Sequence, residues 1–570
     1  MITFLDQGAV GDGVADDSTA LSDTLALGPR AISGVGPEYS YAAESPSTID
    51  YDVIIDGMGA TFKPVGDTQL FRRYGPSVTV SPSATIASLS QGARTFTVAS
   101  STGYAVGQWL HLAATKSGEA AYGYPDFWAK VTGATATTIS VDRPLPVDYS
   151  AATTVECDLI EASEFLGFVH IKNCVFDGSA CTYDTDPGQA LRLAAVEKVI
   201  LENCEFRNFD NNAISCQAFA FLYCIDVTVI NNRMTGHNAQ DQNGSVYFSR
   251  SGKFIGNTAD GSAFGLSTTR CETAIFQGNN LYGRRKLESD TSVTPLHSAR
   301  GIKSYGCAAT VVAGNDISDY ESPIKIEAGY RFDIVGNTMR NAGLSSYSGQ
   351  IALNVGSAVN GTNLAYGIIA NNIVENSGGA GIGVSSDTIG KVVITGNQVL
   401  KTQSIGIYAP IRNVVISQNM ITDWGLRNSA EAGIYYGDGA TVTDNRFSHA
   451  TLTSLPCLRN NLTSGYRYSF SGNAVETANP LLPSSKEVET SGTATIPSGS
   501  TSVAVTHNLV KTPALAEIQV TAGENPTNAP GHIWVSGVGS TQFTINCAAN
   551  PGASNLDVGW RAALKMPFTA

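Results

Sequence analysis

Three carboxylates surround one short alternating segment, residues 318–331, which reads SDYESPIKIEAGYR. Enzymes that hydrolyse glycosidic bonds use two carboxyl groups, one as a proton donor and one as a base or nucleophile. Alternation places Glu327 on the outer side of the strand beside Lys325, so we predict Glu327 as the first catalytic candidate. Asp319 and Glu321 lie just before the same strand and are its predicted partners.

Two further acids lie near a neighbouring strand-like phrase that contains Tyr247. Glu272 belongs to STTRCETA and Asp241 to HNAQDQNGSVYF, and both are predicted in turns that border this phrase. We include both acids as catalytic candidates, with Arg270 as a candidate substrate-binding residue. For every acid the alternative is a solvated turn or a salt bridge, because charged residues usually lie at the surface.

The longest spacer, LYGRRKLESDTSVTPLHSARGIKS at residues 281–304, suggests a second chemistry. Before the next strand-like phrase, GIKS, it carries five basic side chains, Arg284, Arg285, Lys286, His297 and Arg300. Basic loops on a rigid scaffold can hold an acidic polysaccharide, and a Lys, His or Tyr can act as the base in a β-elimination at a uronate. Hydrolysis and elimination therefore both remain open, with His297 and Arg300 as candidate binding residues.

Short alternating phrases, such as SVYF, GIKS, PIKI and GIYA, predict a flat surface of outward side chains, with Ile, Val or Phe directed inward. One predicted outward column contains Tyr247, Lys303, Lys325, Tyr408 and Tyr435, and the next contains Gln217, Ser249, Tyr305, Glu327 and Asn354. Aromatic rings cover the apolar faces of sugars, and amides and charges meet their hydroxyl groups. This surface therefore suits a long sugar polymer, and a solvated sheet or a subunit interface is the alternative.

The elements that position these side chains are set by a repeated asparagine. VITGNQV at 393–399 has counterparts in DIVGNTM at 333–339 and FIGNTA at 254–259. The aligned asparagines are Asn173, Asn203, Asn232, Asn257, Asn279, Asn315, Asn337, Asn372, Asn397, Asn419, Asn445 and Asn473. The shortest spacing, 22 residues, occurs three times, and alternating pieces of three to five residues favour a parallel β-helix over a helical solenoid.

We predict a structural role for each of these asparagines and assign none of them to chemistry. Asparagine tolerates the left-handed conformation at a tight bend, and stacked copies can bond each other from coil to coil. Twelve coils at a spacing of about 4.8 Å would stack to about 55 to 60 Å.

Composition limits the classes of partner. The chain has 570 residues, several times the length of one compact domain. It has 49 acidic against 35 basic residues, a net charge of −14, which disfavours nucleic acid and anionic membranes as partners. No apolar run is long enough to cross a bilayer. Ten scattered cysteines and seven dispersed histidines predict buried thiols, no metal site and no cofactor.

The two ends of the chain differ from the repeat. The opening FLDQGAVGDGVADDSTALSDTLA predicts a short helix that caps the first coil, and no βαβ unit follows its glycines to make a nucleotide site. The predicted divisions are a capping segment at 1–50, the start of the β-helix at 51–160 with an inserted β domain at about 82–150, regular coils at 161–480, and a C-terminal β-sandwich at 481–570.

The segment GAVGDGVADDSTAL resembles the opening of pectate-lyase-like β-helix proteins. Together with the asparagine repeat and the terminal module, it resembles bacteriophage tailspikes that depolymerise capsular or O-antigen polysaccharide. The resemblance implies an all-β, right-handed, single-stranded parallel β-helix and an elongated homotrimer, with glycosidase or lyase activity on residues 161–480. It also implies a place on the phage tail, attachment through the N-terminal end to a tail or baseplate protein, and a terminal module for trimer assembly or glycan binding.

The resemblance implies bacterial surface polysaccharide, such as capsule, exopolysaccharide or O-antigen, as the partner. Two other functions remain open, a secreted or cell-associated bacterial polysaccharide lyase and a non-enzymatic receptor-binding fibre. The terminal sandwich, and a start without a visible export signal, favour the phage protein over the secreted enzyme.

Overall fold

The chain is almost entirely β in the computed structural model. The described residues are 1–75, 89–98, 100–101, 103–115, 124–149, 152, 154–160, 164–181, 190–209, 218–235, 244–262, 265–283, 300–343, 351–356, 366–384, 390–426, 432–437, 439–449, 457–460, 469–471, 473–475, 489–507, 509, 512–523 and 529–563.

Three parallel sheets, A, B and C, run along the described coils with 15, 15 and 13 strands. Each regular coil contributes one strand to A, then B, then C, and pairs in parallel with the next coil. Sheet A consists of Ile2–Thr3, Arg30–Ser33, Val53–Asp56, Leu166–Lys172, Val196–Glu202, Asp226–Ile230, Ser251–Ile255, Thr273–Gln277, Ala309–Ala313, Arg331–Val335, Tyr366–Ala370, Val392–Thr395, Val415–Ser417, Thr441–Thr443 and Ser469–Ser471.

Sheets B and C complete each coil. Sheet B consists of Asp12–Asp16, Ser40–Ala43, Thr61–Pro64, Val175–Asp177, Glu205–Arg207, Arg233–Thr235, Thr258–Ser262, Asn280–Gly283, Asp316–Ser318, Thr338–Ala342, Ile373–Ser377, Gln398–Thr402, Met420–Thr422, Arg446–Ser448 and Ala474–Val475. Sheet C consists of Ser47–Thr48, Phe71–Arg72, Leu191–Ala194, Phe219–Leu222, Gly244–Tyr247, Leu266–Thr269, Arg300–Tyr305, Ser322–Glu327, Leu353–Val355, Ile382–Val384, Ile407–Ala409, Ile434–Tyr436 and Leu458–Asn460.

The parallel β-helix predicted from the repeat is confirmed, and it is longer than the asparagines indicate. Three coils precede Asn173 without a matching asparagine, which is why the sequence predicted only twelve. The 14 steps between the 15 strands of sheet A correspond to a stack of about 67 Å at a spacing of about 4.8 Å.

Alternation within each strand directs apolar side chains into one continuous core that extends from Phe4 to Leu458. Like residues from successive coils stack there, as Phe254 does on Phe276 with 5.2 Å between ring centroids and nearly parallel planes. A parallel, in-register stack places equivalent side chains above each other at strand spacing, which suits offset-stacked rings.

A ladder of buried asparagines follows sheet A at the turn into sheet B. Nδ2 of Asn279 donates to the Phe254 carbonyl at 3.0 Å and to Oδ1 of Asn315 at 2.8 Å, while Oδ1 of Asn279 accepts from the Asn257 backbone N–H at 2.9 Å. Equivalent side-chain bonds connect Asn232, Asn257, Asn279, Asn315, Asn337, Asn372, Asn397, Asn419, Asn445 and Asn473. The ladder satisfies backbone groups inside the turn, and the predicted stacking is confirmed.

Two details of the predicted asparagine role are wrong. The left-handed conformation belongs to the residue before each ladder asparagine from Asn232 to Asn445, such as Gly278 with φ of 63°. Asn173 and Asn203 occupy that left-handed position, with φ of 53° and 52°, and Cys174 and Cys204 take the buried position after them. The ladder side chain must point into the coil, whereas the left-handed position needs only a residue that tolerates positive φ.

Asn279→Ala is expected to lower the free energy of unfolding by about 2–4 kcal/mol, because it removes the partner of the buried Asn257 N–H and one donor to the Phe254 carbonyl. Asn280→Ala is the matched control, since this neighbouring side chain is exposed, and its effect should stay within about 0.5 kcal/mol. Denaturant unfolding followed by circular dichroism measures both. Equal losses in the two variants would contradict the role of the ladder.

The helix predicted in the opening segment is present at Ser18–Ala26, after a short 3-10 turn at Leu5–Gln7. Leu21 and Leu25 of this helix lie in the core of the first coils. The buried carboxylate of Asp17 accepts from the N–H groups of Val10 at 2.6 Å and Gly11 at 3.2 Å. The acidic pair of the opening motif therefore organises the loop that leads into the cap.

An inserted antiparallel sheet interrupts the coils. Its order is Thr154–Ile160, Trp109–Thr115, Phe127–Ala134, Thr138–Val141 and Thr95–Thr97. The last of its strands in the chain runs to Ile160, beyond the approximate end at 150 drawn from the sequence. It has its own core, and Ala308 and Tyr330 of the coils pack against that core, so the insertion is seated on the β-helix.

The C-terminal residues form two three-stranded antiparallel sheets. One contains Glu489–Ile496, Leu556–Ala563 and Ile518–Ala522, and the other contains Ser502–Thr506, Gln542–Cys547 and Ile533–Ser536. Buried residues from both sheets, including Ile496, Phe543 and Val558, share one core. The arrangement is a β-sandwich. Two further 3-10 turns lie at Gly178–Ala180 and Leu515–Glu517.

The eight cysteines among the described residues are free thiols, and all but Cys181 are buried. Burial raises the pKa of Cys224 to about 12. A buried thiol with a raised pKa is unreactive, and the burial of seven of these eight thiols agrees with the sequence prediction.

Candidate active site

Strand register aligns the outward side chains of sheet C in two columns. The first column contains Lys303, Lys325, Asn354, Gly383, Tyr408, Tyr435 and Arg459. The second contains Tyr247, Thr269, Tyr305 and Glu327. These two columns are called the sheet C face below.

The sequence assigned Tyr247 and Asn354 to the wrong columns. Thr268 and Ser304 point inward and are buried, with 3.3 Å between their hydroxyl oxygens. Because these inward residues are polar, the alternation of apolar and polar residues is lost in the strands next to Tyr247, and the sequence does not show their register. Ser249 was also wrongly predicted to point outward: it is buried in the turn after sheet C and accepts from the Cys224 N–H at 3.0 Å.

Glu327 ends its strand on the sheet C face, half-buried between two cations. Nζ of Lys325 lies 2.6 Å from Oε1 of Glu327, and Nη1 of Arg300 lies 3.4 Å from Oε2. Tyr305 occupies the adjacent coil in register with Glu327, and Nζ of Lys303 lies 5.5 Å from the centroid of the Tyr305 ring. Lys325 and Arg300 thus hold the Glu327 carboxylate at the end of the strand, and a carboxylate in a fixed position can act as a base or nucleophile.

Glu321 precedes the same strand in a different environment. Burial raises the pKa of Glu321 to about 7, and the positive charge of Arg300 opposes this rise. Oε2 of Glu321 is buried and has no hydrogen-bond partner among the described residues. A carboxyl group that keeps its proton near neutral pH is suited to act as a general acid.

Arg300 links the two carboxyl groups. It pairs with Glu327 directly, its charge acts on Glu321, and its register partner, Ser322, is adjacent to Glu321. Glu321 and Glu327 lie at the two ends of the strand Ser322–Glu327 and have unlike surroundings, one largely desolvated and one between two cations. Glycoside hydrolysis uses two carboxyl groups in different roles.

Asp319 is placed in the turn between sheets B and C, where its backbone is left-handed with φ of 61°. Its Oδ2 accepts from the Ser318 hydroxyl at 2.8 Å and its Oδ1 accepts from Nδ2 of Asn341 at 3.2 Å. Both oxygens are engaged in the turn, which fits a structural role.

Glu272 and Arg270 lie under the inserted domain, away from the open sheet. Oε1 of Glu272 accepts from the Trp128 N–H at 2.9 Å and pairs with Arg143. Nη2 of Arg270 lies 2.6 Å from Oδ1 of Asp126. Burial raises the pKa of Glu272 to about 7, against the charge of Arg143. These contacts connect the inserted domain to the coils, so the structure gives both residues a docking role.

Tyr408 and Tyr435 stack on adjacent coils with 5.2 Å between ring centroids, and Arg459 lies over the Tyr435 ring at 5.7 Å. Arg459 was missed in the sequence because its strand, LRN, lacks the Gly-Ile start of the other phrases. Its register position after Tyr435 is the signal that could have found it.

Several sequence candidates lie outside the described residues, namely Asp241, His297, Gln217, Arg284, Arg285 and Lys286. Within the described ranges, no group of three or more His, Cys, Asp and Glu side chains converges as metal ligands would. None of the helices found in those ranges has the length and apolar character to cross a bilayer.

The chain folds as a parallel β-helix that is similar to the structures of phage tailspikes. The tailspike of Pseudomonas phage phi297 is similar over 99% of this chain and 99% of its own, with a TM-score of 0.50 and 14% sequence identity. The tailspike of Acinetobacter baumannii bacteriophage AP22, in complex with A. baumannii capsular saccharide, is similar over 99% of this chain and 96% of its own, with a TM-score of 0.50 and 12% identity. At these identities the likeness establishes the fold alone.

Sequence comparisons add one partial match. The family model described as periplasmic copper-binding protein (NosD) matches residues 285–475. This segment is one third of the chain and coincides with the regular rungs of the asparagine ladder from Asn315 to Asn473. No curated protein matches the chain in sequence.

Proposed function

We propose that the protein is a phage tailspike depolymerase that binds a bacterial surface polysaccharide along sheet C and hydrolyses it with Glu321 and Glu327. The observation that carries the proposal is the pair of carboxyl groups with unlike surroundings that share Arg300. The likeness in fold to a tailspike solved with a capsular saccharide supports the class of substrate. Homotrimer assembly and attachment to the phage tail belong to the same proposal.

In this mechanism Glu321 donates its proton to the oxygen of the leaving sugar. Glu327, positioned by Lys325 and Arg300, acts from the other side of the bond as nucleophile or as the base that activates water. As Glu321 loses its proton, the positive charge of Arg300 stabilises the new carboxylate. The tyrosines and Asn354 of the sheet C face hold neighbouring sugars through ring faces and hydroxyl groups.

Incubation with capsule, exopolysaccharide and lipopolysaccharide preparations from a panel of bacterial strains tests the function. Mass spectrometry should detect oligosaccharides that are whole multiples of one repeat unit, each carrying one added water per cleaved bond. Products with an unsaturated uronate would show elimination instead of hydrolysis. A glycan that is bound by the protein but never shortened would identify a receptor-binding fibre and overturn the enzymatic proposal.

The rate of cleavage is expected to fall as pH rises through about 7. The pKa of Glu321 is raised, so the proton needed for catalysis stays bound up to neutral pH and is lost above it. Well above this pKa the rate should fall nearly tenfold for each pH unit. A pH profile of kcat/KM measures this fall in rate. The unfolding temperature at each pH is the control, because it shows whether the protein stays folded. A rate that stays constant from pH 6 to pH 9 would exclude Glu321 as the acid.

A further inference from the structure

A cavity of about 390 Å³ lies between the inserted domain and sheet A. Its floor is formed by Asp226, Ser251 and Thr273, which are register partners on three successive strands. Lys253 and Arg250 lie beside this floor, and Arg143 of the inserted domain completes the lining. Five of the six lining residues therefore belong to the coils and one to the insertion.

The charges around this cavity do not cancel. Nζ of Lys253 pairs with Oδ1 of Asp226 at 2.7 Å, and Arg143 pairs with Glu272 behind the lining. Arg250 also acts on Glu272, whose oxygens are already taken by Arg143 and the Trp128 N–H. No ion pair or side-chain hydrogen bond is present for Arg250 among the described residues, although it is only partly exposed. Among the described residues, the Arg250 guanidinium therefore lines the cavity without a direct ion-pair partner, in a chain whose net charge is −14.

We propose that this cavity is a second carbohydrate site, which binds an acidic sugar through Arg250. A planar guanidinium donates two parallel hydrogen bonds to a carboxylate or phosphate. Arg143 and Lys253 add positive potential on either side, and the hydroxyl groups of Ser251 and Thr273 are available to the sugar hydroxyls. The shared chemistry is an oxyanion on a sugar, either a uronate carboxylate or a sugar phosphate.

The size of the cavity argues for a sugar as the carrier of the charge. A volume of about 390 Å³ falls within the range of about 300–1,000 Å³ typical of small-molecule sites, which often lie between domains. The choice of a sugar rests on the proposed function, whereas the oxyanion site does not. An acidic sugar bound here would give the protein a second, non-catalytic binding site for the polymer that is cleaved on sheet C.

Calorimetric titration of the full chain with D-glucuronate, glucose 6-phosphate, glucose and inorganic phosphate tests the proposal without any cleavage. Glucuronate or glucose 6-phosphate should bind, whereas glucose should not. Arg250→Gln should weaken that binding at least tenfold, which is about 1.4 kcal/mol. The matched control is Arg446→Gln, an exposed arginine on sheet B, and it should bind as the unaltered protein does.

Three outcomes would overturn the proposal. Inorganic phosphate that binds as tightly as the acidic sugars would mark an adventitious ion only. Unchanged affinity in Arg250→Gln, or an equal loss in Arg446→Gln, would show that Arg250 has no particular role. Arg250→Lys is a second variant in case Arg250→Gln fails to fold. Lysine keeps the charge but lacks the paired donors, so this variant should bind the acidic sugar at least threefold more weakly than the unaltered protein does. Because monosaccharides are not cleaved, a failure here is separate from a failure of the depolymerase proposal.

Discussion

Glu327→Gln is expected to reduce polysaccharide cleavage by about 10³-fold or more while binding of the polymer persists. A positioned acid or base contributes about 10²–10⁴ to the rate, and an amide can neither attack the sugar nor accept a proton. The half-buried amide keeps the shape of the side chain and its place beside Lys325 and Arg300. Reducing-end release measures the rate, and retention of the uncleaved polymer on the variant measures binding.

Glu202→Gln is the matched control for this substitution. Glu202 is also a partly exposed carboxylate paired with a basic side chain, His170 at 3.0 Å, but it lies on sheet A. The rate of polysaccharide cleavage by Glu202→Gln should stay within twofold of the rate of the unaltered protein. Full activity in Glu327→Gln, with unchanged unfolding temperature, would remove Glu327 from catalysis and leave its ion pairs as structural.

Glu321→Gln is expected to lower cleavage of the natural polymer by about 10²–10³-fold, because the leaving sugar then departs without a proton. The fall in rate above pH 7 should disappear with the side chain whose pKa is raised by burial. The free energy of unfolding should change little, or rise, because the amide places no charge in a partly buried position.

An aryl glycoside of the released repeat unit separates this role from a structural one. A good leaving group needs little protonation, so Glu321→Gln should cleave it at close to the rate of the unaltered protein, whereas Glu327→Gln should remain slow. Equal losses on both substrates in Glu321→Gln would contradict the role of general acid and indicate damage to the site.

Local sequence patterns were sufficient to predict the β-helix coil, but they predicted the candidate site only in part. Alternation correctly placed Lys325 and Glu327 on one outward face, because these residues are two apart on a single strand. Comparison between strands failed for Tyr247, because inward Thr268 and Ser304 obscured the register. Asn354 was placed one column away from its register partner, Lys325, although the alternation of its own strand is regular. The unlike surroundings of Glu321 and Glu327 were also invisible, since they depend on burial and on Arg300 from the previous coil.

The sequence by itself determined the repeating architecture of this protein, because the period of the asparagines, the alternation within strands and the capping motif are local preferences repeated many times. Only the tertiary structure decided which charged residues of the coils are buried under the inserted domain. Trp128 and Arg143 reach Glu272 across 144 and 129 residues of chain, and Arg270 reaches the Tyr124 carbonyl across 146. These contacts form between the inserted domain and the coils, and neither partner carries a local sequence pattern that predicts the other. The same packing buries Glu272 and Arg270 and places Arg143 in the lining of the cavity beside Arg250.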